Sequence, residues 1–440
     1  MSDNKFPHVL VAGGGIGGLA LANGLRKAGV SVAVYERDRH RTDRVQGFRV
    51  HINPTGSRAL HELLPEPAYR AFIASSGKGA TRFGFVTEQM KDLLNLDTEV
   101  IEGEHNEIDS HYGISRITLR QILLADLDTV VHYDKAITGY AELPDGRVEV
   151  NFADGGSAVG DVLVGADGGT SRVRAQRLPQ ARRVATSIVT VAGKFVLTDE
   201  SRRRLTPKFL ASALAIMPPK GCGMFIAPHE FDQPDPHFSG IGGNDGAAAL
   251  APGALFDNTR SYVFWAYAAK RGDYPGGVEL ESLDTAQLHD MVNRLIAGWA
   301  PELRELVGGS DTDTVTLIPI RTSVPLPPWE TTNVTLLGDA IHSMTPFRGI
   351  GANIALRDAQ LLCDKLVAAA NGEQPLLAAI HDYEAQMIEY GFAAVRDSLT
   401  AAEQTVSDNS VGRAIGRTVF RVAEAVPPLK RKMFAGFGSE

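Results

Sequence analysis

Apolar and polar positions along the chain alternate between two rhythms, and the switches between them outline the elements. Residues 7–12 form a short apolar run of strand type. Residues 19–27 follow a helical spacing that Gly29 stops. A second apolar run at 30–35 ends on Glu36. Strand, helix and strand within about thirty residues make a β-α-β unit, which requires a parallel sheet. The spacing next predicts a basic loop at 44–50, a helix at 57–64, a strand at 77–86 and a helix at 118–126. Three strand-like runs follow at 130–140, 147–152 and 158–164. Pro144-Asp145-Gly146 and Asp154-Gly155-Gly156 separate them as turns, so the pattern predicts an antiparallel meander.

From about 182 to 280 the texture changes. Runs rich in Val, Thr and Phe at 187–197, 214–217, 224–226 and 262–268 alternate with Gly/Pro loops, which predicts a second, mostly antiparallel sheet. A helix at 283–299, strands at 315–320 and 334–337, and long helices at 350–370 and 380–404 complete the chain.

Length and composition narrow the class. A chain of 440 residues exceeds one ordinary core, so two or three domains are expected. Its 44% apolar and 22% charged content is that of a globular enzyme. A net charge of −8 offers nucleic acid no general attraction. The two cysteines, Cys222 and Cys363, form no C-x-x-C pair and suit a reducing compartment. The uncharged run at 8–25 has the look of a signal peptide or membrane span, but glycines at 13, 14, 15, 17, 18 and 24 argue against both. A cytoplasmic location without a membrane span is the expectation.

Three constellations carry chemistry. The first is GGGIGG at 13–18, placed between strand and helix. In a G-x-G-x-x-G turn, the glycines permit a tight bend, close approach of a pyrophosphate and close helix–strand packing. The helix N-terminus supplies free N–H groups and a positive dipole end. Glu36, ending the next strand, is placed to accept hydrogen bonds from ribose hydroxyls and to repel a 2′-phosphate, which disfavours NADP there. This pattern alone leaves FAD and NAD both open. Arg116, at a helix start, reaches either a phosphate, a carbonyl edge or only solvent. The second is the stretch 161–174, an apolar strand ending at Asp167-Gly168, with Ser171 as a helix cap ahead of Arg172 and Arg174. The third is GDAIHSMTPFRGIGAN at 338–353. There Asp339 stands at a strand end and Asn353 lies in the first turn of a helix. Such an Asp can bind polyol hydroxyls, and such a helix start can stabilise negative charge on a ring.

In this order the motifs resemble the class A flavoprotein monooxygenases of para-hydroxybenzoate hydroxylase fold, over residues 8 to about 366. The resemblance implies a mixed α/β fold: a Rossmann-like FAD-binding domain with a β-meander, an antiparallel substrate sheet and C-terminal helices. The domains would be 1–75, 100–181 and 285–370 for FAD, 76–99 and 182–284 for substrate, and 371–440 as a helical region. Gly13, Gly15, Ile16, Gly17, Gly18, Glu36 and Arg37 would hold the ADP half of FAD, with Arg44 and Arg116 also on the cofactor. Asp167 and Gly168 would serve both FAD and the nicotinamide donor. Asp339 would bind the ribityl chain or pyrophosphate. Gly349, Gly351, Ala352 and Asn353 would lie on the flavin's pyrimidine edge, and Pro346 would line the oxygen-reacting face. Pro346, Gly349 and Arg49 are the expected catalytic positions, with Gln46 beside Arg49. Two glycine-rich turns, one for phosphate and one for ring, suit the length of FAD.

The implied reaction consumes NADPH or NADH and O2. A flavin C4a-hydroperoxide inserts one oxygen atom into an aromatic or polyketide-like small molecule, with hydroxylation expected. Epoxidation, Baeyer–Villiger oxidation and a reductase without oxygen transfer are the alternatives. A halogenase would carry W-x-W-x-I-P, which Trp265-Ala-Tyr267 lacks, and the undamaged motifs rank a non-catalytic flavin binder last. No second G-x-G-x-x-G occurs, since GKG at 77–79 and GIG at 240–242 both fail at the last glycine. No nucleophile motif, metal motif or Walker loop is present, so no metal is expected. The substrate wall would come from Phe195, Met217, Met224, Phe225, Trp265 and Tyr267, each of which has sheet core as its competing role. Two departures stand out. Arg348 occupies a position the family usually gives to a small residue, and Met387 one it often gives to Arg. For His342 a supporting hydrogen bond is expected rather than flavin contact. Arg413, Arg417 and Arg421 share one helix face, expected to be solvated. The chain would act as a monomer or homodimer.

Overall fold

A computed structural model describes residues 7–40, 49–76, 82–97, 106–230, 261–276 and 279–434. The β-α-β unit is Val9–Ala12, Ile16–Lys27 and Val32–Tyr35. It seeds a five-stranded parallel sheet in the order Val334–Leu336, Val162–Gly165, Val9–Ala12, Val32–Tyr35, Val131–His132. Register aligns Ala12 with both Tyr35 and Gly165, and Gly165 with Leu336. Strands buried on both faces read as unbroken apolar runs, which is how these appear in the sequence. Helices Ile16–Lys27 and Gly351–Ala370 belong to this first core.

The second body is a seven-stranded sheet in the order Thr316–Ser323, Arg183–Val196, Tyr262–Lys270, Cys222–His229, Ser212–Ile216, Arg82–Val86, Asp92–Asp97. All its pairings are antiparallel except that of Ser212–Ile216 with Arg82–Val86. One face holds Trp265, Tyr267 and Phe195 against helices Thr285–Leu295 and Pro301–Gly308. Helix Leu376–Thr405 joins the two bodies. Ile380, Tyr383, Met387 and Val395 enter the first core, whereas Ala402 packs beside Ile188 and Ala268 of the second sheet.

Several expectations need redrawing. The run 130–140 is two strands, because Asp134 turns with φ +56°. Val131–His132 joins the parallel sheet and Ile137–Glu142 the meander. The run 158–164 likewise divides into Ser157–Gly160 in the meander and Val162–Gly165 in the parallel sheet. A Cβ on Gly160 would lie 2.6 Å from Leu10 Cγ, so the crossover needs glycine. The helix expected at 283–299 ends at Leu295 and restarts at Pro301, with Gly298 between them. Residues 285–323, expected with the cofactor domain, pack on the second sheet instead. Leu288, Val292, Leu303 and Val307 are buried in its core, and Thr316–Ser323 is its edge strand. Residues 371–434 form no separate unit, since Leu376–Thr405 spans both cores and Ser410–Ala425 covers Leu94 and Leu96 of the second sheet.

Candidate functional site

Parallel strands deliver their carboxyl ends to one edge of a sheet, where open α/β folds place ligands. Here four motif positions emerge at that edge: Gly13 after Ala12, Glu36 after Tyr35, Asp167 after Gly165, and Asp339 after Leu336. All four line one cleft of about 2500 Å³. Ordinary small-ligand pockets run to roughly 1,000 Å³, so there is room here for a dinucleotide and a second molecule.

The glycine turn is built by close approach. Gly13 has φ +109°, and a Cβ on it would sit 2.5 Å from the Ala166 carbonyl oxygen. A Cβ on Gly18 would sit 2.3 Å from the Gly13 carbonyl oxygen. Helix Ile16–Lys27 starts at Gly15 with no side-chain cap and no acid in its first turn. Its open N–H groups and positive dipole end therefore remain available to an anion. Glu36 is buried and accepts from the Gly14 N–H at 2.7 Å and the Asp38 N–H at 3.0 Å. One of its carboxylate oxygens thus fixes the glycine turn, and the group keeps acceptor capacity for a ligand hydroxyl. Arg37 and Arg116 also line the cleft.

Asp167 Oδ2 accepts from the Arg172 and Val173 N–H groups at 2.6 and 3.4 Å, while its buried Oδ1 has no partner among the described residues. Gly168 has φ +78°. Ser171 caps Arg174 N at 2.9 Å, as its position predicts. Arg174 Nη1 donates to the Ala340 carbonyl at 2.7 Å, so this arginine bolts the Asp167-Gly168 turn to the Gly338 loop.

Asp339 is exposed to the cleft after Gly338, which has φ +60°. Beneath the turn lies a buried polar group. Asp358 accepts from the Gly338 N–H at 2.7 Å, His342 Nε2 at 2.6 Å and the Tyr390 hydroxyl at 2.6 Å. Burial lowers the His342 pKa, but the charge and hydrogen bond of Asp358, with Asp339 adding to them, hold it above the usual histidine value. His342 does not line the cleft.

The loop from Pro346 to Ala352 lines the cleft, and Gly349 turns with φ +66°. Helix Gly351–Ala370 begins there with no side-chain cap. Asn353, expected on the ring edge, is fully buried instead. Its Oδ1 accepts from the Asn53 N–H and its Nδ2 donates to the His51 carbonyl, both at 2.9 Å. It ties the start of helix Gly351–Ala370 to strand Arg49–Ile52. His51 and His111 stack at 5.0 Å in the cleft with His111 Nδ1 3.0 Å from His51 Nε2, and burial pushes the His111 pKa down to about 4. Arg348 donates to Asp397 at 3.1 Å. Arg44, Gln46 and both short glycine pairs lie outside the described residues. Arg49 lies in a two-stranded ribbon with Tyr112–Ser115.

On the substrate side the expected wall divides by strand parity. Met217 and Phe225 line the cleft, whereas Met224 borders it but pairs with Tyr267 and is buried in the far-face core. Phe195, Trp265 and Tyr267 do not line it, because adjacent strand residues face opposite sides and these three are core under the far face. The cleft face of Tyr262–Lys270 carries Phe264, Ala266 and Ala268. Phe83 and Phe85 add aromatic surface beside them.

The comparisons with known proteins agree with this geometry. An FAD binding domain model matches residues 305–396, and an NAD(P)-binding Rossmann-like domain model matches 11–74. A solved structure of a putative FAD containing monooxygenase from Photorhabdus luminescens subsp. laumondii TTO1 is 34% identical. It superposes with TM-score 0.79 over 91% of this chain and 98% of its own. The 3-amino-4-hydroxybenzoate 2-monooxygenase PtmB3 of Streptomyces platensis is 30% identical over 381 residues, 85% of this chain and 83% of its own. The chain belongs to the FAD-dependent monooxygenases. It is also 31% identical over 398 residues to the dual O-methyltransferase/FAD-dependent monooxygenase CTB3 of Cercospora beticola. The match covers 86% of this chain but only 44% of that longer protein.

Within this FAD-dependent monooxygenase, the residues present fit the cofactor. The cradle at Gly13 and Gly18 admits no side chain, two uncapped helix starts face one cleft, and Asp167 keeps a buried oxygen without a partner. Sequence reasoning missed two residues. Arg120, one turn beyond Arg116, is buried and donates from Nε to the Gly14 carbonyl at 3.0 Å. Asp358 holds Gly338 from twenty residues away. Each had the same signal: a charge at a position of an otherwise apolar helix face, which needs a partner when buried.

Proposed function

We propose that the chain is an NAD(P)H-consuming FAD monooxygenase that transfers one oxygen atom from O2 to an aromatic small molecule, by hydroxylation. The observation that carries the reading is the single cleft joining the carboxyl edge of the parallel sheet to the apolar face of the second sheet. FAD bound there supplies the redox centre that accepts a hydride equivalent and activates O2. The protein's part is to bind, orient and exclude water. Gly13, Gly15, Ile16, Gly17 and Gly18 take the pyrophosphate, Glu36 the ribose, and Asp339 the ribityl chain. The uncapped start of Gly351–Ala370 stabilises negative charge on the ring, with Gly349, Gly351 and Ala352 approaching it through backbone. Pro346 closes the reacting face. Asp167 turns its free oxygen toward the cofactor or its reductant. Met217, Phe225 and Phe264 hold an apolar substrate.

An aromatic substrate suits this Phe- and Ala-lined wall, and PtmB3 is by its name an aminohydroxybenzoate monooxygenase. We further assign the described residues of 82–97 and 182–323, with helix Ser410–Ala425, to the substrate body and the elements of the first core to the cofactor body.

The test is direct. The purified protein should show a flavin spectrum. It should oxidise NADPH or NADH with matching O2 uptake when phenols are supplied, and yield a product carrying isotope from labelled O2. A protein that takes up no FAD would overturn the cofactor assignment. Nicotinamide oxidation that never leads to labelled product would replace the monooxygenase with a reductase.

A further inference from the structure

Helix Ser410–Ala425 turns one face inward and leaves the other without cover among the described residues. Its inner side carries Phe420 and Ala423, packed with Leu94, Leu96 and Phe434 on the second sheet. The two inward arginines point at protein partners. Arg413 donates to the carbonyls of Pro218, Cys222, Gln404 and Thr405. Arg417 pairs with Glu88 at 2.6 Å. Its outer side is a stripe of β-branched residues spaced by four, four, three and four. Val411 is 68% exposed and Ile415 60%, and Val419, Val422 and Val426 continue the line, with Met433 beyond. Ala414 and Ala425 flank it.

Charge on this surface has one sign. Arg421, Arg431 and Lys432 are exposed beside the stripe. The nearby acid, Glu424, turns inward to the Asn95 N–H and the Lys430 ammonium. The exposed Asp408, just before the helix, is paired with Lys270, so among the described residues the charge beside the stripe is cationic in a chain of net charge −8. No described helix is long and apolar enough to cross a membrane, so the stripe is not a span. A helix with an aliphatic face and a cationic rim is built to lie in a lipid interface.

We infer that Ser410–Ala425 and the segment after it dock this enzyme reversibly on anionic phospholipid surfaces. Two considerations favour lipid over a second copy of the chain. The stripe offers on the order of a few hundred Å², below the ~800 Å² that each partner buries in a stable complex. Its cations would also face each other across a two-fold axis, whereas lipid headgroups neutralise them. The placement has a use. The inner side of the same segment borders the cleft through Arg413, Phe420 and Phe434. Docking therefore sets the mouth of an apolar cleft against the phase in which an apolar substrate is most concentrated.

The experiment is co-sedimentation of FAD-loaded protein with vesicles of phosphatidylcholine alone or mixed with phosphatidylglycerol. The protein should pellet with the anionic vesicles, less so as salt is raised, and remain in solution with the neutral ones. The triple variant Val411→Ser, Ile415→Ser, Val422→Ser, whose sites touch neither cofactor nor cleft, should lose binding about tenfold or more. It should retain its melting temperature and basal NADPH oxidation. Absence of pelleting by the parent protein would overturn the inference, as would equal pelleting by the variant. So would a dimer in sedimentation equilibrium that the variant converts to monomer, because the stripe would then be a self-interface. Pelleting that begins only after residues 435–440 are removed would assign the stripe to the chain's own end. The readout requires no turnover, so its failure and that of the proposed reaction are separable.

Discussion

At the scale of single residues, the site is held by contacts that tolerate little change. Asp339 faces the cleft and supports no described backbone hydrogen bond. Asp339→Ala should therefore weaken FAD retention by about tenfold or more, while the apo-protein's melting temperature holds; unchanged retention would remove Asp339 from the site. Gly18→Ala works differently. Its methyl would meet the Gly13 carbonyl at 2.3 Å, so the phosphate turn must move. The variant should fold with lowered stability and lose flavin absorbance on gel filtration. The His342–Asp358 pair gives a pH prediction. The folded His342 pKa is raised, so the folded state binds its proton more tightly than the unfolded state. The pair's contribution is complete below the ordinary histidine value of 6.5 and is lost as pH rises through the folded value. The gap in melting temperature between the parent and His342→Gln should accordingly narrow from about pH 5 to about pH 9; a gap constant in pH would exclude the charged pair. Glu36 and the glycines were legible because their roles depend on local order along the chain. Asp358 was not, because the group it serves is set by how a helix returns over a strand end.

At the scale of elements, runs rich in Val, Thr and Phe between Gly/Pro loops marked the second sheet but not which of its faces is wet. Trp265 and Phe264 are adjacent, and only tertiary packing decides that the indole enters the core while Phe264 lines the cleft. A glycine carries a trace of that decision. A Cβ at Gly193 would lie 2.7 Å from Trp265 Cζ2, so Gly193 makes room for the ring. Trp265→Ala should cost about 3–5 kcal/mol in chemical denaturation, because it opens a cavity and strips Ser310 of the indole N–H, which donates to Oγ at 2.7 Å. Phe225→Ala, at 39% exposure on the cleft face, should change stability by less than about 1 kcal/mol and raise substrate KM with kcat nearly preserved. The reverse ranking would mean the two faces of the sheet are misassigned. The arginine spacing on Ser410–Ala425 misled for the same reason. Arg421 stays exposed, but Arg413 and Arg417 turn inward, since the carbonyls of Pro218 and Cys222 and the Glu88 carboxylate that hold them lie far away in sequence.

At the scale of the whole molecule, the question is whether the cofactor and substrate bodies behave as one cooperative unit. The motifs and their order gave the cofactor body, whereas the path of 285–323 into the other core was not legible, because apolar periodicity does not say which sheet a helix will cover. Links between distant segments are dense. Asn353 bonds the Asn53 backbone from 300 residues away, Arg174 holds the loop of Ala340, and helix Leu376–Thr405 contributes side chains to both cores. FAD, bound along the carboxyl edge of the parallel sheet, would add to them. A ligand that binds only the folded state stabilises it by about 2.7 kcal/mol at a hundredfold excess over Kd. If the bodies unfolded independently, FAD would raise the melting of the cofactor body alone, and calorimetry would show two transitions drawing apart. A helix shared between cores makes independent unfolding costly, because melting either body strips apolar partners from the other. The expected result is a single calorimetric transition that moves upward as a whole with the logarithm of FAD concentration, and moves less for Asp339→Ala at equal FAD. A second transition insensitive to FAD would show instead that the Leu376–Thr405 helix does not couple the two bodies.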